Sequence, residues 1–202
     1  MVSQDQALPP QPDPTTGEPR PPKAPTYGRA PNENDVSQGK PPSPPRGCSR
    51  ALEWHVEGNR KYLQAALWVV LLELVVFTVA EGLTWVGLWW VWVLIAVTPA
   101  IPYFGLRGTF YAAGTDWFRS KGGWVHTYAL TTIRLDVSTK AVLTLQDTAG
   151  RGITVDITGI QINRRLWDLV YNGMRHSIAI GTATDVSNYA QSVLKLPKSQ
   201  QS

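Results

Sequence analysis

The sequence is short of several residue types, and each shortage limits what the chain can be. Its 202 residues include one cysteine, Cys48, which excludes an intramolecular disulfide framework and a cysteine-rich zinc site. No glutamate follows Glu81, and no charged residue lies between Glu81 and Arg107. Charged residues make up only 17% of the chain, and a net charge of +4 is too small to indicate a nucleic-acid-binding protein.

Proline is concentrated at one end of the chain. Thirteen of the 16 prolines lie in residues 1–47, which include PPQPDP, PRPPKAP and KPPSPP. This segment holds too few large apolar side chains to offset the entropy of ordering, so it is predicted to be a disordered proline-rich tail. It would serve either as a spacer or as a docking site for a protein partner that reads proline-rich chains.

Residues 62–106 contain two apolar runs separated by the short linker Glu81-Gly82-Leu83-Thr84. Each run has about 20 residues, the length at which an α-helix crosses a hydrocarbon core of about 30 Å. The runs are apolar on all sides, and the rest of the chain is too small to bury both. They are predicted to form a two-helix transmembrane hairpin, with a buried helical pair in a soluble core as the alternative.

Basic residues flank the two runs on their outer sides, whereas the linker has none. They are Arg50, Arg60, Lys61, Arg107, Arg119 and Lys121. The excess of positive charge on the cytoplasmic side of membrane proteins therefore predicts a multi-pass protein of the cell membrane with both termini in the cytoplasm. Residues 48–61 form the juxtamembrane segment in this scheme.

Glu73 is the one acidic residue near the middle of a predicted span. An acidic side chain at that depth costs roughly 2.5–3.5 kcal/mol on insertion scales, so it needs a partner or a proton. In an antiparallel hairpin, Trp89 and Trp92 fall at a similar depth, and an indole N–H could donate to it. We expect a structural hydrogen bond within the hairpin or between protomers, with a proton or cation relay as the alternative.

The pattern changes in residues 107–181 to short runs rich in β-branched and aromatic residues. Six strands are predicted, at residues 108–112, 116–120, 124–130, 132–137, 141–146 and 153–157.

A helix is predicted after these strands. Asn163 is its expected N-cap and Gly181 its stop. Five apolar residues at helical spacing form one buried stripe: Trp167, Val170, Tyr171, Met174 and Ile178. Residues 182–202 are predicted to be a polar C-terminal tail that frays, with one short helical turn within 189–196.

The order of these elements resembles the bacterial pleckstrin-homology-like domains that are attached to membrane hairpins. The residues that carry the resemblance are FYAAGTDWFRSKGGWVHTYALTTIRLDV, after the hairpin and before the closing helix. The resemblance implies a small α+β fold, an antiparallel β-roll capped by a C-terminal helix, without common catalytic residues. The sheet seems short by about one strand, which another protomer or the membrane-proximal segment would supply.

No motif for catalysis, a cofactor or a metal is present. His55, His126 and His176 are scattered, without a second ligand at metal-binding spacing, so we expect neither an enzyme nor a metal or cofactor site.

The leading interpretation is therefore a membrane-anchored binding or scaffold protein that contacts lipid or protein partners at the inner leaflet. The basic residues expected to make these contacts are Arg119, Lys121, Arg164 and Arg165. The alternative is a homo-oligomeric transport or channel component with Glu73 as its intramembrane polar site.

Overall fold

The structure is a computed structural model, and it describes residues 8–28, 40–56, 60–100 and 109–197. These divide into two units, one formed by the described residues up to Val56 and from Phe110 onward, and the other lying within Glu57–Thr109. The first unit is a small α+β protein with antiparallel sheets, as the sequence predicts.

The first sheet has four antiparallel strands in the order β1-β2-β3-β4. They are β1 (Glu53–Val56), β2 (Phe110–Ala113), β3 (Trp117–Ser120) and β4 (Gly123–His126). β1 lies within residues 48–61, for which the sequence predicts no strand, and it pairs Trp54 with Ala112 and Val56 with Phe110. The segment before the apolar runs thus adds a strand to the first sheet, and it is one of the two sources of a further strand that the sequence suggested.

The second sheet has the order β7-β6-β5-β8. Its strands are β5 (Leu130–Val137), β6 (Ala141–Asp147), β7 (Gly152–Asp156) and β8 (Asp185–Val186), which runs parallel to β5. The predicted strand 124–130 is wrong at its end, because a turn separates His126 from Leu130. There the Thr127 N–H donates to the Asp116 carbonyl oxygen at 2.9 Å, and the chain passes from one sheet to the other.

A short helix, α3 (Ile157–Gln161), leads into the long helix α4 (Arg164–Ile180). The Asn163 side chain accepts hydrogen bonds from the N–H groups of Arg165 and Leu166, which confirms the predicted N-cap. Gly181 ends the helix with a φ of 84°, a left-handed conformation that favours glycine. All five residues of the predicted apolar stripe are buried.

The C-terminal residues differ from the expected frayed tail. After β8, a helix α5 (Asn188–Leu194) begins at Ser187, whose hydroxyl accepts from the Ala190 N–H. Five apolar side chains of this segment are buried in the core: Ala183, Val186, Ala190, Leu194 and Leu196. The burial of these five side chains holds the segment against the domain, although polar residues outnumber them in the segment.

The proline-rich tail also differs from expectation where the structure describes it. Residues 8–28 and 40–47 form neither helix nor strand, yet they lie against the α+β unit. Ala24, Pro12 and Pro45 are buried, and Tyr27 packs against the core. Composition indicates how little apolar surface the tail can bury by itself, whereas the hydrogen-bonding partners of the tail lie on the folded domain.

The second unit contains α1 (Arg60–Glu81), a 3₁₀ turn (Thr84–Gly87) and α2 (Trp89–Val97). Among the described residues, Leu63–Glu81 is the one helix that is long and apolar enough to cross a membrane, with a mean hydropathy of 2.2. α2 has nine residues, and residues 101–106 of the predicted second span lie outside the described residues, as does Arg107. Within the residues that it describes, the structure thus shows one candidate membrane-spanning helix, and it does not show the second of the two that the sequence predicts.

Gly173 allows α4 to pack closely on the turn after β4. A methyl group built at Gly173 would lie 2.5 Å from Thr127 Cβ and 2.9 Å from the Thr127 carbonyl oxygen. We predict that Gly173→Ala lowers the free energy of unfolding by about 1–3 kcal/mol through overpacking, although alanine is the better helix former. Thermal unfolding of the full chain, followed by near-ultraviolet circular dichroism, measures this change.

The matched control is Ala179→Gly, an exposed site on the same helix. It should cost about 1 kcal/mol, the helix-propensity difference alone. An increase in stability from Gly173→Ala would show that α4 does not approach the Thr127 turn this closely.

Candidate binding site

The four basic residues expected to face a partner have different surroundings. Arg119 on β3 donates to the Ser43 carbonyl oxygen at 2.7 Å, and Arg164 pairs with Asp168 at 3.2 Å. Lys121 lies exposed in the turn between β3 and β4. The Arg165 side chain is 53% exposed and lies 3.9 Å from a Glu53 carboxylate oxygen. Of the four, Lys121 and Arg165 are the more exposed pair.

Residues 8–28, which we call the N-terminal strap, lie against one face of α4. The strap has two legs joined by a turn, in which the Asp13 N–H donates to Glu18 and the Gly17 N–H donates back to Asp13, both at 2.8 Å. The Asp13 carboxylate accepts from the N–H groups of Thr16 and Thr15, and these hydrogen bonds lower its pKa. The turn thereby holds the two legs side by side.

The second leg of the strap is bound to the N-terminal half of α4. The Ala24 N–H donates to Asp168 Oδ1 at 2.8 Å, and Arg164 donates to the Ala24 carbonyl oxygen. The Trp167 indole N–H donates to the Pro25 carbonyl oxygen at 2.7 Å. Three consecutive backbone groups of the strap are therefore recognised by side chains of one helical turn.

The first leg is bound further along the same helix. The Nε2 atom of His176 lies 2.6 Å from the Pro9 carbonyl oxygen, so this nitrogen carries the hydrogen in the contact. The Asn172 amide lies 3.5 Å from the Pro10 carbonyl oxygen and donates to the Tyr128 hydroxyl at 2.9 Å. These contacts extend the binding face of α4 over about three helical turns.

The chemistry of proline explains the type of contact. A proline has no N–H, so a proline-rich segment offers mainly carbonyl acceptors and cannot extend a sheet in the usual way. The donors must then come from side chains. Positions 164, 167, 168, 172 and 176 recur at helical spacing, which places them on one face of α4. This face, which we call the α4 donor face, is the candidate binding site.

Asp168 is the acidic residue of the α4 donor face. Its burial raises the pKa of the carboxyl to about 6, although the hydrogen bond from Ala24 and the charges of Arg164 and Lys23 oppose this rise. The desolvation of the Asp168 carboxyl therefore outweighs the stabilising effect of its partners. Keeping this carboxylate ionised in the folded state costs free energy. The strap contact at Ala24 supplies part of the compensation.

A cavity of about 550 Å³ lies beside the strap. Its lining combines three guanidinium groups, two carboxyl groups and several apolar side chains: Arg20, Arg50, Arg165, Glu53, Asp168, Leu52, Trp54 and Leu169. Arg50 also donates to the Thr15 carbonyl oxygen, which links the strap to the segment before β1. The cavity is mixed in character, with a slight excess of positive charge.

Glu73 has a partner within its own unit. The Thr98 hydroxyl donates to one Glu73 carboxylate oxygen, whereas the expected Trp92 indole donates to the Val86 carbonyl oxygen at 3.0 Å. The expectation of an indole partner at Trp92 is therefore wrong. One carboxylate oxygen of Glu73 therefore has an internal hydrogen-bond partner, whereas the other, Oε2, is buried without one among the described residues.

Sequence reasoning indicated Arg164, although for a lipid or an acidic partner, and missed the other residues of the α4 donor face: Trp167, Asp168, Asn172 and His176. The spacing of Arg164 and Asp168, four residues apart on a helix, could have shown that this arginine is paired. Within the described residues, no three His, Cys, Asp or Glu side chains come together as a metal site. Comparisons with known protein families, with curated proteins and with solved structures find no match to this chain.

The raised pKa of Asp168 predicts a pH dependence. Because the folded state holds this proton more tightly than the unfolded chain, Asp168 contributes stability below about pH 4 that is lost as the pH rises through about 6. We predict that unfolding free energy of the wild type falls relative to Asp168→Asn over this range by about 1–2 kcal/mol, after allowance for solvent screening. Urea unfolding of both full chains at several pH values measures the difference.

Asp156→Asn is the matched control, an aspartate that caps α3 instead. If the unfolding free energies of the wild type and Asp168→Asn changed with pH in the same way, the pKa of Asp168 would not be raised in the folded state.

Proposed function

We propose that this chain is a membrane-anchored binding or scaffold protein whose α+β unit recruits partners at the inner leaflet. The observation that carries the proposal is where the chain leaves the first sheet and where it re-enters it, on either side of residues 57–109. Val56 at the end of β1 and Phe110 at the start of β2 are register partners. The insert therefore leaves and rejoins the domain at one place.

The surface of α1 supports a membrane anchor. Its apolar side chains are exposed on several sides of the helix, with Trp68 71%, Leu72 63% and Val79 82% exposed. Exposed apolar surface of this extent is unfavourable in water and favourable in lipid. The helix also has the length required to cross a hydrocarbon core.

The rest of the insert supports a second crossing. An insert that starts and ends at neighbouring strand residues must return to the side from which it left, so it crosses the membrane an even number of times. Within this unit, Phe77 of α1 contacts Trp90 of α2 at a ring distance of 6.3 Å, and Glu73 is bonded to Thr98. The earlier residue of α1 contacts the later residue of the second segment, which is the pattern of two helices that run antiparallel. We therefore infer a two-helix hairpin with both of its outer ends, and both chain termini, in the cytoplasm.

The α+β unit supports a binding role. Two antiparallel sheets followed by a long helix agree with the pleckstrin-homology-like arrangement that the sequence resembles, and we carry that resemblance forward as part of the proposal. Residues 107–202 hold eleven basic and six acidic side chains. A domain with this excess, tethered beside an anionic leaflet, gains about 1 kcal/mol for each lysine or arginine near the surface. Of the four basic residues that the sequence indicated, Lys121 and Arg165 are the more exposed, and we propose them for that contact.

The topology has a direct test that uses the single cysteine of the chain. In a Cys48→Ser background, Thr84→Cys should react with a membrane-impermeant maleimide in intact cells, because the linker lies outside. Thr184→Cys, also an exposed threonine, should react only after the cells are permeabilised. Labelling is read as a mass shift on a gel. Protection of Thr84→Cys in intact cells would contradict the orientation.

The lipid contact is tested in the full chain reconstituted into nanodiscs with or without an anionic lipid. We predict that the anionic lipid slows hydrogen exchange in the turn between β3 and β4, and that Lys121→Glu with Arg165→Glu abolishes this protection through charge repulsion. Lys140→Glu, in the turn between β5 and β6, is the control and should leave it intact. Equal protection in the double variant would exclude these residues as the lipid contact.

A further inference from the structure

The α4 donor face holds the strap in the manner of a receptor holding a peptide. The strap adds no strand to either sheet, and its contacts with α4 are hydrogen bonds from side chains to its backbone. Among its residues, Ala24 is the buried member of the hydrophobic core, and Tyr27 is only partly buried there. The main part of the contact therefore consists of polar recognition of an extended chain.

The pattern of donors and acceptors also explains selectivity. At the second leg, Asp168 accepts the Ala24 N–H at 2.8 Å, and the flanking carbonyl groups of Ala24 and Pro25 accept from Arg164 and Trp167. A ligand for this site needs an N–H on the residue that precedes a proline, as Ala24 has in the Pro-Lys-Ala-Pro sequence of the strap. Lys23 adds charge complementarity, because it lies close enough to Asp168 to lower its pKa.

We infer that the α4 donor face is a binding site for proline-rich segments, which the strap occupies as an intramolecular ligand, and that the strap of a second copy of this chain binds there when its own strap leaves. The structure shows the fit of this sequence in particular, and every copy carries both the strap and the site. Only the covalent link distinguishes the two arrangements, since the same hydrogen bonds form in each. This inference rests on the proposed function only in that copies anchored in one membrane meet readily.

The tether sets the competition between the two arrangements. A segment attached to its own site has an effective concentration in the millimolar range, so exchange between copies requires either crowding or a weakened strap. Weakening one hydrogen bond of the resident strap should therefore reveal binding in trans. Ala24→Pro does this in two ways, because proline lacks the N–H that Asp168 accepts and its ring is larger than the buried Ala24 side chain.

The experiment measures binding of a fluorescent peptide of residues 8–28 to the detergent-solubilised full chain by anisotropy. The wild-type chain should bind the peptide weakly, and the Ala24→Pro chain should bind it about ten-fold more tightly, since a hydrogen bond to a charged group contributes about 1.5–3 kcal/mol. A peptide that carries Ala24→Pro should bind to each chain about ten-fold more weakly than the wild-type peptide does. Pro22→Ala, at an exposed position of the strap, is the matched control in the chain and should behave as the wild type.

A second measurement covers the case in which Ala24→Pro fails to fold. A protease site placed within residues 29–39 of the wild-type chain allows the link to be cut after folding. The labelled peptide should then exchange with the cut strap, and Asp168→Ala should weaken its retention.

The results separate this inference from the proposed function, because neither measurement involves a membrane. Failure of the labelled peptide to exchange after cleavage would show that the strap is a permanent part of the fold. Equal binding of the wild-type and Ala24→Pro peptides would show that the site does not read the N–H. Binding of an unrelated proline-rich peptide without binding of the 8–28 peptide would overturn the assignment to a second copy.

Discussion

The side chain of Asn163 joins two parts of the chain that are about 110 residues apart in sequence. Its carbonyl oxygen caps α4, and its amide donates to the Trp54 carbonyl oxygen of β1 at 3.0 Å. Asn163 is only 1% exposed, so water cannot replace either contact, and an unmade hydrogen bond there would cost about 1–3 kcal/mol. The start of the binding helix and the strand that leads to the insert therefore depend on one amide.

The parts of the fold that sequence reasoning predicted are those whose signal is local. Five of the six predicted strands and the limits of α4 follow from alternation, turn residues and caps within a few positions. The end of one strand was wrong because the chain turns after His126, whose carbonyl oxygen accepts from the Ala129 N–H. The Ser177 hydroxyl of α4 donates to the Thr127 carbonyl oxygen in this turn, a contact that no neighbour of Thr127 reveals. Local sequence patterns predict helices and strands well where the hydrogen-bonding partner of each backbone group lies nearby in sequence.

The parts that were missed depend on partners far along the chain. β1 has four residues, and its pairing with β2 spans the whole insert, so the EWHV sequence alone gives little reason for a strand. The strap looks unstructured by composition because its own side chains bury little surface. Its order comes from donors that residues 164–176 supply, and such donors cannot be counted before α4 is placed. Charge counts likewise showed Arg164 as basic but not as the partner of Asp168.

The energetics of the strap favour reversible over permanent binding. Each neutral hydrogen bond between strap and helix contributes about 0.5–1.5 kcal/mol net, because water satisfies the same groups when the strap leaves. The hydrogen bond to the Asp168 carboxylate contributes more, about 1.5–3 kcal/mol, but the desolvation that raises the pKa of Asp168 to about 6 offsets part of this contribution. A strand in the sheet would lose a continuous ladder on leaving, whereas the strap loses separate side-chain contacts. A chain held in this way is suited to exchange between copies, and the membrane anchor that we propose would bring those copies into one plane, where their straps compete for equivalent sites.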